Sequence, residues 1–395
     1  MKKTWVALAV AGAFVAGAAQ AQSSVTLYGI LDVNYMWQER PTNVGTTAAP
    51  RFQLESVSAI NGGHQFGNRW GLRGSEDLGG GLRAIFQLES GFNIDTGTMG
   101  QDNATNAQGT AAVSTASGRL FGRQAYVGLG SNWGTVVAGR IATFSSGTGA
   151  FDMFSTVDPF GTGFGLASLG QTFISANSLR LDNTIAYVSP KFAGFTGGIG
   201  YSTNINGSEV TPSGGNATAF ASGINWSYGP FYAVVTYDVV NAPDAAAGQA
   251  SRPDQKHLQI GGTWTIGPFK LAAAWADQTN VSALAGPGGP GSFLVLPAGL
   301  YYDNNAYMLG ATWNIGAFSV FGSWQSSAAD GKTYQTAAGP KNFEPDYDVY
   351  GIGATYAFSP RTNLYASYAS RDANGTLIGN EFNAKQFAVG MAHKF

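Results

Sequence analysis

The chain has no cysteine in 395 residues. That excludes a disulfide framework, thiolate nucleophiles and cysteine-held metal. Histidine is nearly as scarce: His64, His257 and His393 stand far apart, and none shows the paired spacing of an HExxH metal helix. Charged residues make up only 11% of the chain and the formal net charge is −2, so there is no basic footprint for nucleic acid. A G-x-S-x-G nucleophile elbow is absent as well. Beyond the first residues there is no uninterrupted apolar run near the roughly 20 residues a membrane-spanning helix needs. If such a chain enters a bilayer, it must do so as a closed barrel.

What the chain does have is glycine and aromatic rings: 56 Gly, 25 Phe, 17 Tyr and 9 Trp. This composition suits strands, tight turns and interfacial girdles rather than helices. The first 21 residues read separately, as a signal peptide. Lys2 and Lys3 precede an apolar stretch, and Ala19-Gln20-Ala21 is a small-x-small cleavage site. The expected arrangement is therefore a cleaved segment over 1–21 followed by one unit over 22–395.

The stretch NRWGLRGSEDLGGGLRAIFQLESGF, over 68–92, carries the clearest pattern. It reads as a strand ending at Gly74, a turn over 75–80 and a second strand. In that second strand Leu82, Ala84, Phe86 and Leu88 alternate with Arg83, Gln87 and Glu89. A period of two gives a sheet with unlike faces. The charged face needs water and the apolar face needs a non-aqueous neighbour. Similar hairpins recur along nearly the whole chain with no second layer to cover them, so the apolar faces are expected to meet lipid and the polar faces to line a channel. Arg69, Arg73 and Arg83 fall on the polar face. An arginine on the lipid face near the bilayer midplane would cost roughly 2–4 kcal/mol.

Sixteen candidate strands emerge, with polar loops over 38–63 and 94–118, a hairpin over 119–141 and a long Gly/Ser/Phe segment over 142–179. An even count lets the first and last strands pair and leaves no open edge. The fold class is all-β, a transmembrane 16-stranded antiparallel barrel. Three turns, Tyr228-Gly229-Pro230-Phe231, Ile266-Gly267-Pro268-Phe269 and Ile315-Gly316-Ala317-Phe318, form a weak repeat. Trp226, Trp264, Trp275, Trp313 and Trp324 flank them as expected interface anchors. The closing strand places Phe387, Val389, Met391 and Phe395 on one face, with His393 interrupting the series.

NRWGLRGSEDLGGGLRAIFQLESGF, RLFGRQAYVGLGSNWGTVVAGR, RLDNTIAYVSPKFAGF and the terminal MAHKF together resemble the Gram-negative trimeric general porins, most closely the β-proteobacterial branch. The resemblance implies an outer-membrane homotrimer that passes small hydrophilic solutes and inorganic ions without a cofactor. It implies a third loop, here 142–179, that folds inward and narrows the pore. It implies wall arginines at Arg69, Arg123 and Arg140 facing acidic residues of that loop, Asp152 and Asp158, although Asp158-Pro159-Phe160-Gly161 departs from the family order. Phe395 resembles the terminal aromatic by which the assembly machinery recognises such proteins. Positive wall charges against two acids imply weak anion preference, built as rings of charge usually are.

Other readings come from the same residues. Phe151, Phe154, Phe160 and Phe164 could stack a sugar or aromatic ligand in a substrate-specific channel, and a plugged surface barrel acting in adhesion is the rival from another class. The string Gly161-x-Gly163-x-Gly165 lacks the βαβ context of a nucleotide site and reads as close packing against the wall. Asp372-Ala373-Asn374-Gly375 only faintly resembles a calcium loop.

Overall fold

A computed structural model describes residues 24–43, 52–100, 119–146, 149–161, 163–173, 180–205, 207, 209, 213–244, 252–285, 293–295, 300–330, 332–336, 339–373 and 383–395. The expected signal peptide over 1–21 and the Asn374-Gly375 half of the calcium-like string lie outside the described residues.

The strands are β1 (Ser24–Asn43), β2 (Phe52–Gly62), β3 (Arg69–Gly79), β4 (Leu82–Gly91), β5 (Gln124–Ser131), β6 (Gly134–Ala142), β7 (Arg180–Val188) and β8 (Phe195–Ser202). There follow β9 (Thr218–Tyr228), β10 (Phe231–Asn241), β11 (Gln255–Ile266), β12 (Phe269–Val281) and the short pair β13 (Ala283–Ala285) and β14 (Phe293–Val295). The chain continues through β15 (Tyr302–Ile315), β16 (Phe318–Ala329), the short pair β17 (Lys332–Thr336) and β18 (Gly339–Phe343), then β19 (Tyr347–Ser359), β20 (Thr362–Ala373) and β21 (Ala384–Lys394). The two short pairs form sheets of their own, and the other strands make one antiparallel sheet.

That sheet closes, because β1 pairs with β21 along Ile30↔Lys394 to Glu39↔Lys385. On its other edge β1 pairs with two strands in turn. Val33 opposes Gly62 at the end of β2, and Ile30 opposes Arg69 at the start of β3. β2 and β3 are thus one descending stave interrupted by an excursion over 63–68. Counted so, the barrel has 16 staves and no free edge, which removes the aggregation hazard of an unpaired strand.

The two faces differ as the alternation requires. Outward positions are apolar and exposed: Val25, Leu27, Val127, Ile185, Leu309 and Ile352 among them. Inward positions are polar or small, and many are buried: Asp32, Asn34, Gln259, Gln278, Gln325 and Gln386. This reverses the arrangement of a water-soluble domain and is the arrangement of a barrel in lipid. No helix among the described residues is long and apolar enough to cross a membrane. Aromatic rings gather at the short turns, where Phe231 stacks on Trp264 and Phe269 on Trp313. Trp275 and Trp324 sit six residues along the strands from Phe269 and Phe318. At about 3.3 Å per residue that is roughly 20 Å along the strand, or about 15 Å of height at a strand tilt near 40°, which puts both rings in the far half of the apolar band from the short turns.

Three boundaries differ from the sequence reading. The expected loop over 38–63 is largely strand, since β1 runs to Asn43 and β2 begins at Phe52, and the two pair from Val33↔Gly62 to Asn43↔Phe52. The first hairpin turns later than Gly74: β3 continues to Gly79 and only Gly80 and Gly81 turn, because Ser75, Glu76 and Asp77 still pair with Ile85, Ala84 and Arg83. β5 starts at Gln124 rather than near Arg119, leaving Arg119 and Arg123 on the approach to the strand.

Closure is sealed at the last residue. Phe395 and Gly29 exchange backbone hydrogen bonds of 3.1 and 3.2 Å. A Cβ on Gly29 would lie 2.3 Å from Cζ of Phe395, so the ring occupies space that only glycine leaves free.

Candidate functional site

Register decides which arginines face inward. Tyr28, Gly71 and Glu89 lie in one cross-strand row, and Arg69 and Arg73 share their face. Arg83, opposite Asp77, lies on it too. Arg73 is exposed and stands over the Tyr28 ring, 5.1 Å from its centroid. Arg140 needs a different cause. It pairs with Ala125, and simple alternation would send it out with Val127 and Ala138. A bulge between Gly139 and Ile141, with Gly139 at φ 138°, re-aims it to the side of Asp182. Arg123 comes off the approach to β5 and is 4% exposed.

Two carboxylates organise these side chains. Glu89 on β4 accepts from Arg123 Nε at 2.6 Å and from Tyr28 Oη at 2.8 Å, with Arg69 Nη1 3.9 Å away. Asp182 on β7 accepts from Arg119 Nη1 at 2.8 Å and from Arg140 Nη1. Arg69 Nε also donates to the Gly67 carbonyl and Arg140 Nε to that of Gly122, so backbone as well as charge fixes both guanidinium planes. Arg180, which opens β7, lies within electrostatic range of Arg69, Arg123 and Arg140. The structure thus gathers Arg69, Arg123 and Arg140 with Arg119 and Arg180 around two acids, a patch with an excess of positive charge.

The two acids expected to oppose them are both bonded within their own loop. Asp152 accepts from the backbone N–H groups of Phe154 and Ser155 at 2.9 and 3.1 Å. Asp158 is 4% exposed, and its two oxygens take the N–H groups of Phe160 and Leu169 at 3.0 and 2.8 Å. Burial pushes its carboxyl above the ordinary carboxylate range, and those two donors with Lys270 oppose the shift. A short acidic side chain closing its own loop is a common use of aspartate. Asp158 therefore holds the loop's fold, a structural acid rather than the pore-facing one the resemblance implies.

The segment from 143 to 173 packs against the polar-face side chains of the barrel. Gln278 Nε2 donates to the Thr172 carbonyl at 2.9 Å, Gln325 Nε2 to that of Ala167 at 2.8 Å, and Leu166 N to Gln386 Oε1 at 2.8 Å. Arg371 Nη1 reaches Gln171 Oε1 at 3.3 Å. The glycine string has clear causes. Gly161 and Gly165 are at φ 61° and 55°, and a Cβ on Gly163 would lie 1.9 Å from the Gln65 carbonyl oxygen. The loop's far end thus docks on the excursion over 63–68, where Phe164 N donates to the His64 carbonyl. That excursion is held by buried Asp32, whose Oδ2 accepts from Gln65 N and Phe66 N at 2.7 Å each.

The loop's rings are used in this packing. Phe154, Phe160 and Phe164 are at most 4% exposed. Phe160 and Phe164 meet Phe321 edge-on at 5.0 and 5.3 Å, and half-buried Phe151 lies 5.9 Å from Tyr126. Three of the four rings thus have no free face for a stacking ligand. His257 is buried on the inward face of β11, and His393 meets Thr362 Oγ1 at 2.9 Å.

Sequence reasoning left Glu89 as one more lumenal acid and did not single out Asp182, Arg119, Arg180 or Arg371. Alternation in β4 already placed Glu89 beside Arg83 and Gln87. Asp182 becomes a partner of Arg140 only through the bulge at Gly139, which no local pattern reveals.

The profile of the Gram-negative porins matches residues 7–376. An outer membrane porin protein of Bordetella pertussis is 36% identical over 100% of both chains, and outer membrane porin protein 32 of Delftia acidovorans is 33% identical over 69% of this chain and 68% of its own. The major outer membrane protein P.IB of Neisseria meningitidis serogroup B is 25% identical over the whole of both. Among solved structures, an anion-selective porin from Comamonas acidovorans superimposes with a TM-score of 0.67 at 23% identity, covering 95% of this chain and 100% of that one.

Proposed function

The chain belongs to the Gram-negative porins, channels of the outer membrane and not enzymes, and we propose that it is a passive diffusion pore with weak anion preference. Small hydrophilic solutes and inorganic ions cross its lumen down their gradients, with no cofactor. The observation that carries this reading is the arginine wall: Arg69 and Arg123 on Glu89, and Arg119 and Arg140 on Asp182, all on the polar side of a closed barrel. In a narrow passage with low-dielectric walls, an excess of fixed positive charge concentrates anions.

In this proposal the segment over 143–173 is the third loop, folded inward and narrowing the passage against the arginine wall. Its contacts with Gln278, Gln325, Gln386 and Arg371 support that placement. Arg69, Arg123 and Arg140 form the constriction, with Asp152 contributing from the loop, while Arg73 and Arg83 charge the lumen on either side. The structural neighbour from Comamonas acidovorans is an anion-selective porin, which supports the sign. The proposal also includes removal of residues 1–21, assembly through the terminal Phe395 and a homotrimer, all resting on family resemblance. Single-channel recording tests the core of it: stepwise openings whose anion preference falls in Arg123→Ala support the reading, and a preference unchanged by that substitution removes the wall from it.

A further inference from the structure

The outward face of the barrel is not uniformly convex. Between β7 and β10 it holds a trough of about 420 Å³, open to the outside and almost wholly apolar. Two cross-strand rows define it. In one, Tyr187, Ile199, Ser222 and Tyr237 are successive neighbours. In the next, Gly197, Ile224 and Val235 follow each other. Large exposed side chains form the rims, and the floor drops at Gly197 and Ser222, where the sequence supplies almost no side chain. The polar groups of the floor are already satisfied: Ser222 Oγ donates to the Tyr237 carbonyl at 3.0 Å, and Gly197 N donates to Ser189 Oγ at 2.9 Å. Nothing there asks for a polar ligand.

The glycines of this region separate into two kinds. Gly198 and Gly223 face inward and meet side chains of the segment over 143–173 closely. A Cβ on Gly198 would lie 2.5 Å from the Phe144 ring, and one on Gly223 would lie 3.0 Å from Met153 Sδ. Gly197 faces outward and is under no such constraint. Its nearest neighbours to a built Cβ are at 3.9 and 4.0 Å, and its φ is not in the left-handed region. A glycine inside a strand costs roughly 0.5–1 kcal/mol relative to alanine. Where packing does not demand it, such a glycine marks a bulge, a bend or a close approach by another group, and β8 shows no register shift against β7 or β9.

We propose that this trough is a binding site for one acyl chain of a phospholipid in the periplasmic leaflet. The inference rests on the barrel lying in the outer membrane and is independent of its ion selectivity. Position argues for the occupant. Gly197 lies two residues from Phe195, and Ser222 four from Trp226, both rings of the short-turn girdle. With a rise of about 3.3 Å per residue and a strand tilt near 40°, both floor positions are roughly 5–10 Å above that girdle. That is the half of the apolar band nearer the short turns, which face the periplasm. An outward face at that depth meets hydrocarbon wherever no second copy covers it, and a chain lying against Gly197 and Ser222 gains contacts that a flat wall does not give.

Native mass spectrometry of the full chain tests this, after exchange into phospholipid-free detergent and titration with dioleoyl phosphatidylethanolamine. The wild type is expected to hold one phospholipid per chain at concentrations where Gly197→Leu and Ser222→Leu hold none. The two substitutions fill the trough from different strands, so misfolding of one leaves the other to decide. Retained single-channel conductance shows that each variant is folded. No wild-type adduct, or equal adducts in both folded variants, overturns the site. Retention of lipid A in place of the phospholipid overturns the leaflet. The absence of native cysteine allows a further check: Ser222→Cys chains that form disulfide dimers in membranes would show a second copy covering the trough, which also overturns the proposal.

Discussion

At the level of single residues, the charge of the wall depends on how Glu89 divides itself between Arg123, Arg69 and Tyr28. Arg123 and Glu89 are each 5% exposed at the side chain, so the pair is desolvated. Removing one partner of such a pair strands the other and costs about 3–5 kcal/mol. Glu89→Gln keeps an acceptor for Arg123 but removes the charge. It is expected to lower stability in urea by about 1–3 kcal/mol and to raise the chloride-to-potassium permeability ratio; a lower ratio would mean that Glu89 does not face the ion path. Much of this was legible. Alternation placed Arg69, Arg73, Arg83 and Glu89 on one face without knowledge of the fold. It did not decide Arg123, which precedes its strand, or Arg140. There a bulge decides the outcome, and a bulge shows in a sequence only as a glycine among many.

At the scale of elements, that bulge and the loop docking make separable predictions. A side chain at Gly139 would place Cβ 2.2 Å from the Ala125 carbonyl oxygen. Gly139→Val is therefore expected to destabilise the barrel by about 2 kcal/mol or more and to weaken anion preference as Arg140→Ala does. Unchanged selectivity in a folded Gly139→Val channel would separate the arginine from the bulge. The loop offers a contrast between two glycines. Gly163→Ala drives Cβ into the Gln65 carbonyl and is expected to unseat the loop end, seen as noisier and altered open-channel current. Gly161 has a left-handed φ but nothing within 4 Å, so Gly161→Ala is expected to cost only about 1–2 kcal/mol and leave the current quiet. Equal behaviour of the two would contradict the docking on 63–68. That docking was beyond sequence reasoning, because Asp32, His64, Phe164 and Tyr365 meet from four distant stretches through long-range register alone. Asp158 was misread for a related reason: an aspartate that satisfies two amides of its own loop looks, in sequence, like any loop acid.

For the whole molecule, closure and charge are the two properties that matter. Closure rests on the pairing of β1 with β21 and on the Phe395 ring over Gly29. Gly29→Val is expected to reduce the yield of heat-modifiable folded barrel with little effect on the selectivity of what does fold. The architecture was the most legible feature of the chain, since sixteen weak alternating segments agree with each other and with an even count, and consistency across a chain outweighs the weakness of each part. The charge claim is the central one, and the zero-current potential of the purified protein in planar bilayers under a KCl gradient tests it most directly. An arginine wall with excess positive charge predicts a dilute side that becomes negative, with a smaller potential in Arg123→Ala and Arg140→Ala. A dilute side that becomes positive in the wild type would contradict it, and well-folded protein that never opens would contradict the channel itself.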